Sequence, residues 1–155
     1  MRASEVNGEA PMRPAVLTAD DLERRLSSEF PETFNHDCGF SIVEVWHGGC
    51  RMRLGFQENS LRPGGTISGP TIMMLADVAM YVAVLASIGW QPLAVTTSLN
   101  INFLKKPGPG AMLAECRLLK LGKRLAVGDV SLRREGDEDL VAHATSTYSI
   151  PPGVK

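Results

Sequence analysis

The sequence predicts an α+β fold, a curved antiparallel sheet wrapped round one long central α-helix. Three observations predict it. Pro70 to Trp90 is a long apolar stretch with a single charge, Asp77, the pattern of a buried helix that is apolar all round. The segments after it alternate apolar and polar residues, the period-two signature of strands with one buried face. Short turns of glycine, proline and charged residues separate those segments, which reads as an antiparallel meander. A wholly apolar helix needs cover on nearly every side. The curved sheet supplies most of it, and the side left open calls for a partner, so a homodimer or homotetramer is expected.

The 155 residues fit one domain with a sizeable core. The expected division is a loose, polar, proline-bearing tail, 1–15, and a single domain, 16–155. Thr18 to Ser28 has the marks of a helix, with Thr18 as cap, Asp20, Asp21 and Glu23 in its first turns and Arg24-Arg25 later. Phe40–Trp46 and Met52–Phe56 read as strands joined by His47-Gly-Gly-Cys50. A loop covers Gln57 to Ser68. The long helix starts at about Pro70, since proline suits the first helical position. Ser68 is its expected cap, and Gly89 and Pro92 end it.

In Val95–Phe103, Val95, Thr97, Leu99, Ile101 and Phe103 alternate with Thr96, Ser98, Asn100 and Asn102. After the turn Lys105–Gly110 come Ala111–Leu121, the turn Gly122-Lys-Arg124, Leu125–Arg133, the turn Glu135–Asp139, and Leu140–Ile150. The last strand sets Ala142, Ala144, Ser146 and Tyr148 against His143, Thr145 and Thr147.

Several function classes are disfavoured. A net charge of −1 lacks the basic footprint of a nucleic-acid binder. Cys38, Cys50 and Cys116 are odd in number and have no CxxC spacing, which reads as reduced thiols in a cytoplasmic protein. The first residues contain no apolar run, unlike a secretory signal. His36, His47 and His143 have no metal-ligand spacing, so neither metal nor cofactor is expected. Pro70–Trp90 is long enough to cross a bilayer. An acid near its middle and no nearby basic cluster favour a core helix instead, and no membrane partner is expected.

Chemistry concentrates in one segment. A carboxylate in an apolar helix is costly unless it is paired, protonated or used. Just before Asp77 lies the glycine-rich run Arg62-Pro-Gly-Gly-Thr-Ile-Ser-Gly-Pro70. A helix N-terminus offers free N–H groups and a positive dipole end, and glycine lets the backbone approach a ligand closely. Attack on a carbonyl needs donors where negative charge develops and an acid that attacks or activates water. The plainer reading of Asp77 is a structural acid bonded to Tyr81, one turn on. Gly69 and Asp77 lie roughly 12 Å apart along one helix at 1.5 Å per residue. One carbonyl cannot touch both within one chain, whereas two antiparallel helices across a two-fold axis bring Gly69 of one near Asp77 of the other.

From about Phe40 to Ile150 the sequence resembles the hotdog-fold acyl-CoA thioesterases of the phenylacetate-degradation (PaaI-like) type. The residues behind the resemblance are Gly64-Gly-Thr-Ile-Ser-Gly-Pro70, Leu75-Ala-Asp77, Val95-Thr-Thr-Ser-Leu-Asn-Ile-Asn-Phe103 and Gly122-Lys-Arg-Leu-Ala126, in that order and spacing. It implies hydrolysis of an acyl-CoA thioester at sites shared between subunits, with CoA as part of the substrate. It implies Asp77 as nucleophile or general base, the Gly69 N–H as donor to the thioester oxygen, and Thr96 as an aid in placing water. Family members usually carry His-Gly-Gly where this chain has Ser68-Gly69-Pro70. Arg62 lies near a position where many have a polar residue. Lys123 and Arg124, in the matched stretch, are the basic residues expected to hold CoA phosphates. Two rivals stand beside this expectation. One is an acyl-CoA-binding protein that keeps the fold without the activity. The other is an enoyl-CoA hydratase, disfavoured because Arg62–Trp90 contains no histidine.

Overall fold

The computed structural model describes residues 12–35 and 37–153; residues 1–11 of the expected tail and His36 lie outside them. The elements in chain order are α1 (Ala19–Glu29), β1 (Phe40–Trp46), β2 (Gly49–Leu54), β3 (Leu61–Arg62), β4 (Thr66–Ile67), α2 (Gly69–Ile88), β5 (Val95–Phe103), β6 (Met112–Leu121), β7 (Leu125–Arg134) and β8 (Leu140–Ser149).

α1 begins one residue after Thr18, which is its cap. The Thr18 hydroxyl accepts the Asp21 N–H at 3.1 Å, and the Asp21 carboxylate accepts the Thr18 N–H at 3.3 Å, a reciprocal capping box. Leu22 and Leu26 turn into the core. Glu23 accepts the Ile42 N–H at 2.6 Å, so α1 supplies an acceptor to the edge strand β1.

The β1–β2 turn is tighter than expected. Trp46 pairs with Gly49, leaving His47 and Gly48 as a two-residue turn with Gly48 at φ 102°. The second strand therefore starts at Gly49 rather than Met52 and ends at Leu54. Only glycine fits at 49, where a Cβ would come within 2.5 Å of the Cys116 carbonyl oxygen. The expected loop 57–68 contains a 3-10 turn, Glu58–Ser60, and the small ladder β3–β4.

The six-stranded sheet has the order β1-β2-β6-β7-β8-β5. The expected meander holds for β6, β7 and β8. It fails for β5, which leaves the chain order to pair with β8 at the sheet's far edge. The 104–111 connection explains this. Pro107 and Pro109 have no N–H to close a hairpin, and the Pro107 carbonyl accepts the Ile67 N–H at 3.1 Å instead. The tight turns at Gly122–Arg124 and 135–139 do close hairpins.

α2 lies against the sheet as its core, and every residue from Val78 to Ser87 is buried. Length and composition alone would let it cross a membrane; the sheet buries it instead. Gly128 on β7 permits the close approach, since a Cβ there would sit 2.8 Å from Met80 Sδ. Polar ties cross the interface. The Cys50 thiol donates to the Ala79 carbonyl at 3.1 Å, and Ser87 Oγ accepts the Gly48 N–H at 2.8 Å. Gly89, at φ 97°, ends the helix.

Candidate active site

The site forms where α2, β5 and β8 meet. β5 does not alternate cleanly as the sequence suggests. Its register against β8 shifts between Thr96 and Ser98, a bulge that changes parity along the strand. Leu99 and Ile101 face the core, and Thr96, nominally on the polar face, also turns towards α2. Its hydroxyl donates to Asp77 Oδ1 at 2.6 Å.

Thr96 pairs with Tyr148 across β5–β8. The Tyr148 hydroxyl lies 3.0 Å from the same Asp77 Oδ1 and 3.1 Å from the Asp77 carbonyl oxygen. Two hydroxyls from adjacent strands thus hold one carboxylate oxygen. No other donor among the described residues reaches Asp77 Oδ2. Tyr148 is 3% exposed. Burial first, and the Asp77 charge second, push its phenol far above the ordinary range, so it remains a proton donor in this contact. Tyr81 is not the partner of Asp77. Its hydroxyl donates to the Pro92 carbonyl at 2.8 Å, and its ring stacks on Tyr148 with centroids 6.1 Å apart.

Asp77, Thr96 and Tyr148 all line a cavity of about 470 Å³. α1 contributes Leu26 and its C-cap residue Phe30 to the walls, α2 contributes Met74 and Tyr81, and the segment before β5 contributes Trp90 and Leu93. Phe30 meets Tyr81 edge-on at 6.3 Å. A mostly apolar cavity with a few converging polar groups is the usual form of a small-molecule site.

The remaining expected residues lie elsewhere. Gly69 opens α2. Among the described residues its backbone N–H has no acceptor, as helix geometry leaves it. A Cβ on Gly69 would touch the Phe103 ring at 3.4 Å, so Gly69 sits at one end of β5 and Asp77 at the other. Within one chain the structure does not bring them together. Ser68 caps α2, its Oγ accepting the Thr71 N–H at 3.3 Å and contacting Thr71 Oγ1 at 2.8 Å, so its hydroxyl serves the helix start. Arg62 is exposed on β3. Lys123 and Arg124 are exposed on the β6–β7 turn. That turn lies at the Thr96 end of the sheet, because Leu125, Ser149 and Val95 pair in one row.

Cys50 and Cys116 are buried free thiols. Burial pushes Cys116 up to about 12 and Cys50 well above its usual value, so neither is an available nucleophile. Among the described residues no three His, Cys, Asp or Glu side chains converge as a metal site.

Sequence reasoning missed Tyr148 as a site residue. A signal was present: a tyrosine on the inward-facing set of β8 must find a partner for its buried hydroxyl, and the core offers one carboxylate.

A family model and three similar proteins bear on kinship. The family model of the thioesterase superfamily matches residues 64–141. A protein of Saccharolobus solfataricus provisionally named an esterase is 31% identical over 135 residues, 87% of each chain. A solved structure from Silicibacter sp. TM1040, provisionally named a thioesterase, is 47% identical with a TM-score of 0.80, covering 89% of this chain and 94% of its own. Zebra fish thioesterase superfamily member 2 shares the fold, with a TM-score of 0.75 at 20% identity, covering 87% of this chain and 99% of its own. With Asp77 in the matched stretch and a curved sheet closed on one long helix, the chain belongs to the thioesterase superfamily and has its hotdog fold.

Proposed function

We propose that the protein is an acyl-CoA thioesterase of the PaaI-like type, hydrolysing a thioester to free acid and CoA, with Asp77 as its reactive carboxylate. The observation that supports this most is the arrangement on Asp77. Thr96 and Tyr148 hold Oδ1, which leaves Oδ2 to work on a carbonyl bound in the adjoining cavity. As general base, Oδ2 takes a proton from water and the hydroxide adds to the thioester carbon. As nucleophile, it forms a mixed anhydride that water then cleaves. Either route builds charge on the carbonyl oxygen and expels CoA thiolate, which takes up a proton. Thr96 positions the acid and helps place the water.

The N–H of Gly69 is the proposed donor to that oxygen. It comes from a second chain in this reading. β5 is a sheet edge with Val95 and Phe103 exposed at its two ends. Antiparallel pairing of two β5 strands about a two-fold axis near Leu99 sets the Phe103 end of one beside the Val95 end of the other. Gly69 of one chain then approaches Asp77 of its partner, giving two sites per homodimer; a homotetramer repeats the unit. Lys123 and Arg124, roughly 10 Å across two strand spacings from Thr96, are placed to meet CoA phosphates at that end. Arg62, near the Gly69 end, is the remaining basic candidate. Reduced thiols at Cys50 and Cys116 agree with a cytoplasmic setting.

The test is thiol release from a panel of aryl- and fatty-acyl-CoAs by wild type and Asp77→Asn. Turnover by wild type with a loss of roughly 10³-fold or more in the variant is the expected result. CoA esters bound but not turned over would instead make this a binding protein and Asp77 a structural acid.

A further inference from the structure

We infer that the acyl pocket is a charge filter set by Glu29 of α1: it admits neutral acyl groups and refuses those ending in a carboxylate. The inference rests on the thioesterase reading above and deepens it by naming the substrate class.

The cavity over Asp77 is lined by two charged residues, Glu29 and Asp77, both acids. No lysine, arginine or histidine of the described chain faces it. The nearby cation Arg25 sits over the Trp90 ring at 5.3 Å and is not among the lining residues. Phe30, Tyr81, Trp90 and Tyr148 add aromatic surface to an otherwise mostly aliphatic wall. An acyl chain entering here loses water against rings, and an anionic end meets like charge with no cation from the described residues of the same chain to neutralise it.

The two acids differ in position. Asp77 is at the reacting carbon in the proposed reaction and cannot distinguish acyl ends. Glu29 lies at the C-terminal end of α1, in a wall supplied by a different element from Asp77, so an acyl group running from Asp77 towards α1 ends beside it. Its field is felt inside the pocket: the Tyr81 phenol is raised by burial first and by the Glu29 charge second. The helix C-terminus adds a negative dipole end in the same place.

Glu29 is exposed, so solvent screens its effect and the discrimination is modest per charge. The experiment compares kcat/KM for hexanoyl-CoA and its ω-carboxylated counterpart, adipyl-CoA, on the full chain. Wild type should favour hexanoyl-CoA by at least tenfold. In Glu29→Gln the neutral-to-anionic ratio should fall roughly three- to tenfold, and Glu29→Lys should lower it further. The change should lie mainly in KM for the anionic ester. A wild-type ratio near one, or a ratio unmoved by both substitutions, overturns the filter while leaving the thioesterase standing. No turnover of either ester while aryl-acyl-CoAs are hydrolysed overturns the filter alone, and no turnover of any CoA ester overturns the thioesterase reading with it. A fall in rate on both esters by the same factor would show a structural Glu29 and also overturns the filter.

Discussion

At the scale of single residues the molecule turns on how one carboxylate is held. Thr96 and Tyr148 together fix Asp77 Oδ1, so removing either hydroxyl should slow turnover without abolishing it. Thr96→Val and Tyr148→Phe are expected to lower kcat roughly ten- to a hundredfold, each with about 1 kcal/mol lost in urea unfolding from the missing hydrogen bond. Steady-state thiol release alongside denaturation midpoints checks both. The cysteines make a second residue-scale prediction. Cys50 and Cys116 are buried and held as neutral thiols, whereas Cys38 is half-buried. Iodoacetamide should label one thiol per folded chain and three once urea unfolds it. Asp77 was legible in the sequence because a lone charge in an apolar helix demands a reason. Tyr148 was not, because its role depends on standing opposite Thr96 in a pairing of strands far apart in sequence. The expected bond from Asp77 to Tyr81 fails for a similar reason, since Tyr81 finds the Pro92 carbonyl first.

At the scale of elements, local rules were readable and long-range ones were not. The cap at Thr18, the start of α2 at Ser68–Pro70 and the span Val95–Phe103 follow from short-range chemistry, and the structure has them. The bulge in β5 and its pairing with β8 do not, because alternation carries no sign of an inserted residue. The start of α2 offers a clean test of the proposed oxyanion donor. Gly69 occupies the first helical position, where proline fits and its missing N–H breaks no helix bond. Gly69→Pro should therefore keep the fold, by circular dichroism and melting, and lose roughly 10²–10³ in kcat. Gly69→Ala retains the N–H and meets Phe103 at an ordinary contact distance, so it should be much the milder change. On β7, Gly128→Ala forces a methyl within 2.9 Å of the Arg117 carbonyl oxygen as well as against Met80. It should destabilise by about 1–3 kcal/mol, read from the urea midpoint.

At the scale of the whole molecule, the separation of Gly69 from Asp77 makes the proposed activity a property of the assembly. Gly69→Pro and Asp77→Ala homodimers should each be nearly inactive. A mixture allowed to exchange subunits should regain activity, because each heterodimer restores one intact site. Proven exchange with no recovery would count against a site shared between Gly69 and Asp77. The fold class was readable because an apolar helix of this length leaves few ways to be covered; the strand order was not, because composition cannot say which edge β5 joins. That same helix has a further property. Apolar residues on nearly every side give α2 little preference for one rotation about its own axis within the sheet. Its azimuth is indexed by a few polar contacts: Cys50 on Ala79, Ser87 with Gly48, and Tyr148 on both the side chain and the carbonyl of Asp77. The residue proposed to do chemistry is thus also one of the notches that stop the helix from spinning, so fold specificity and reactivity share one residue.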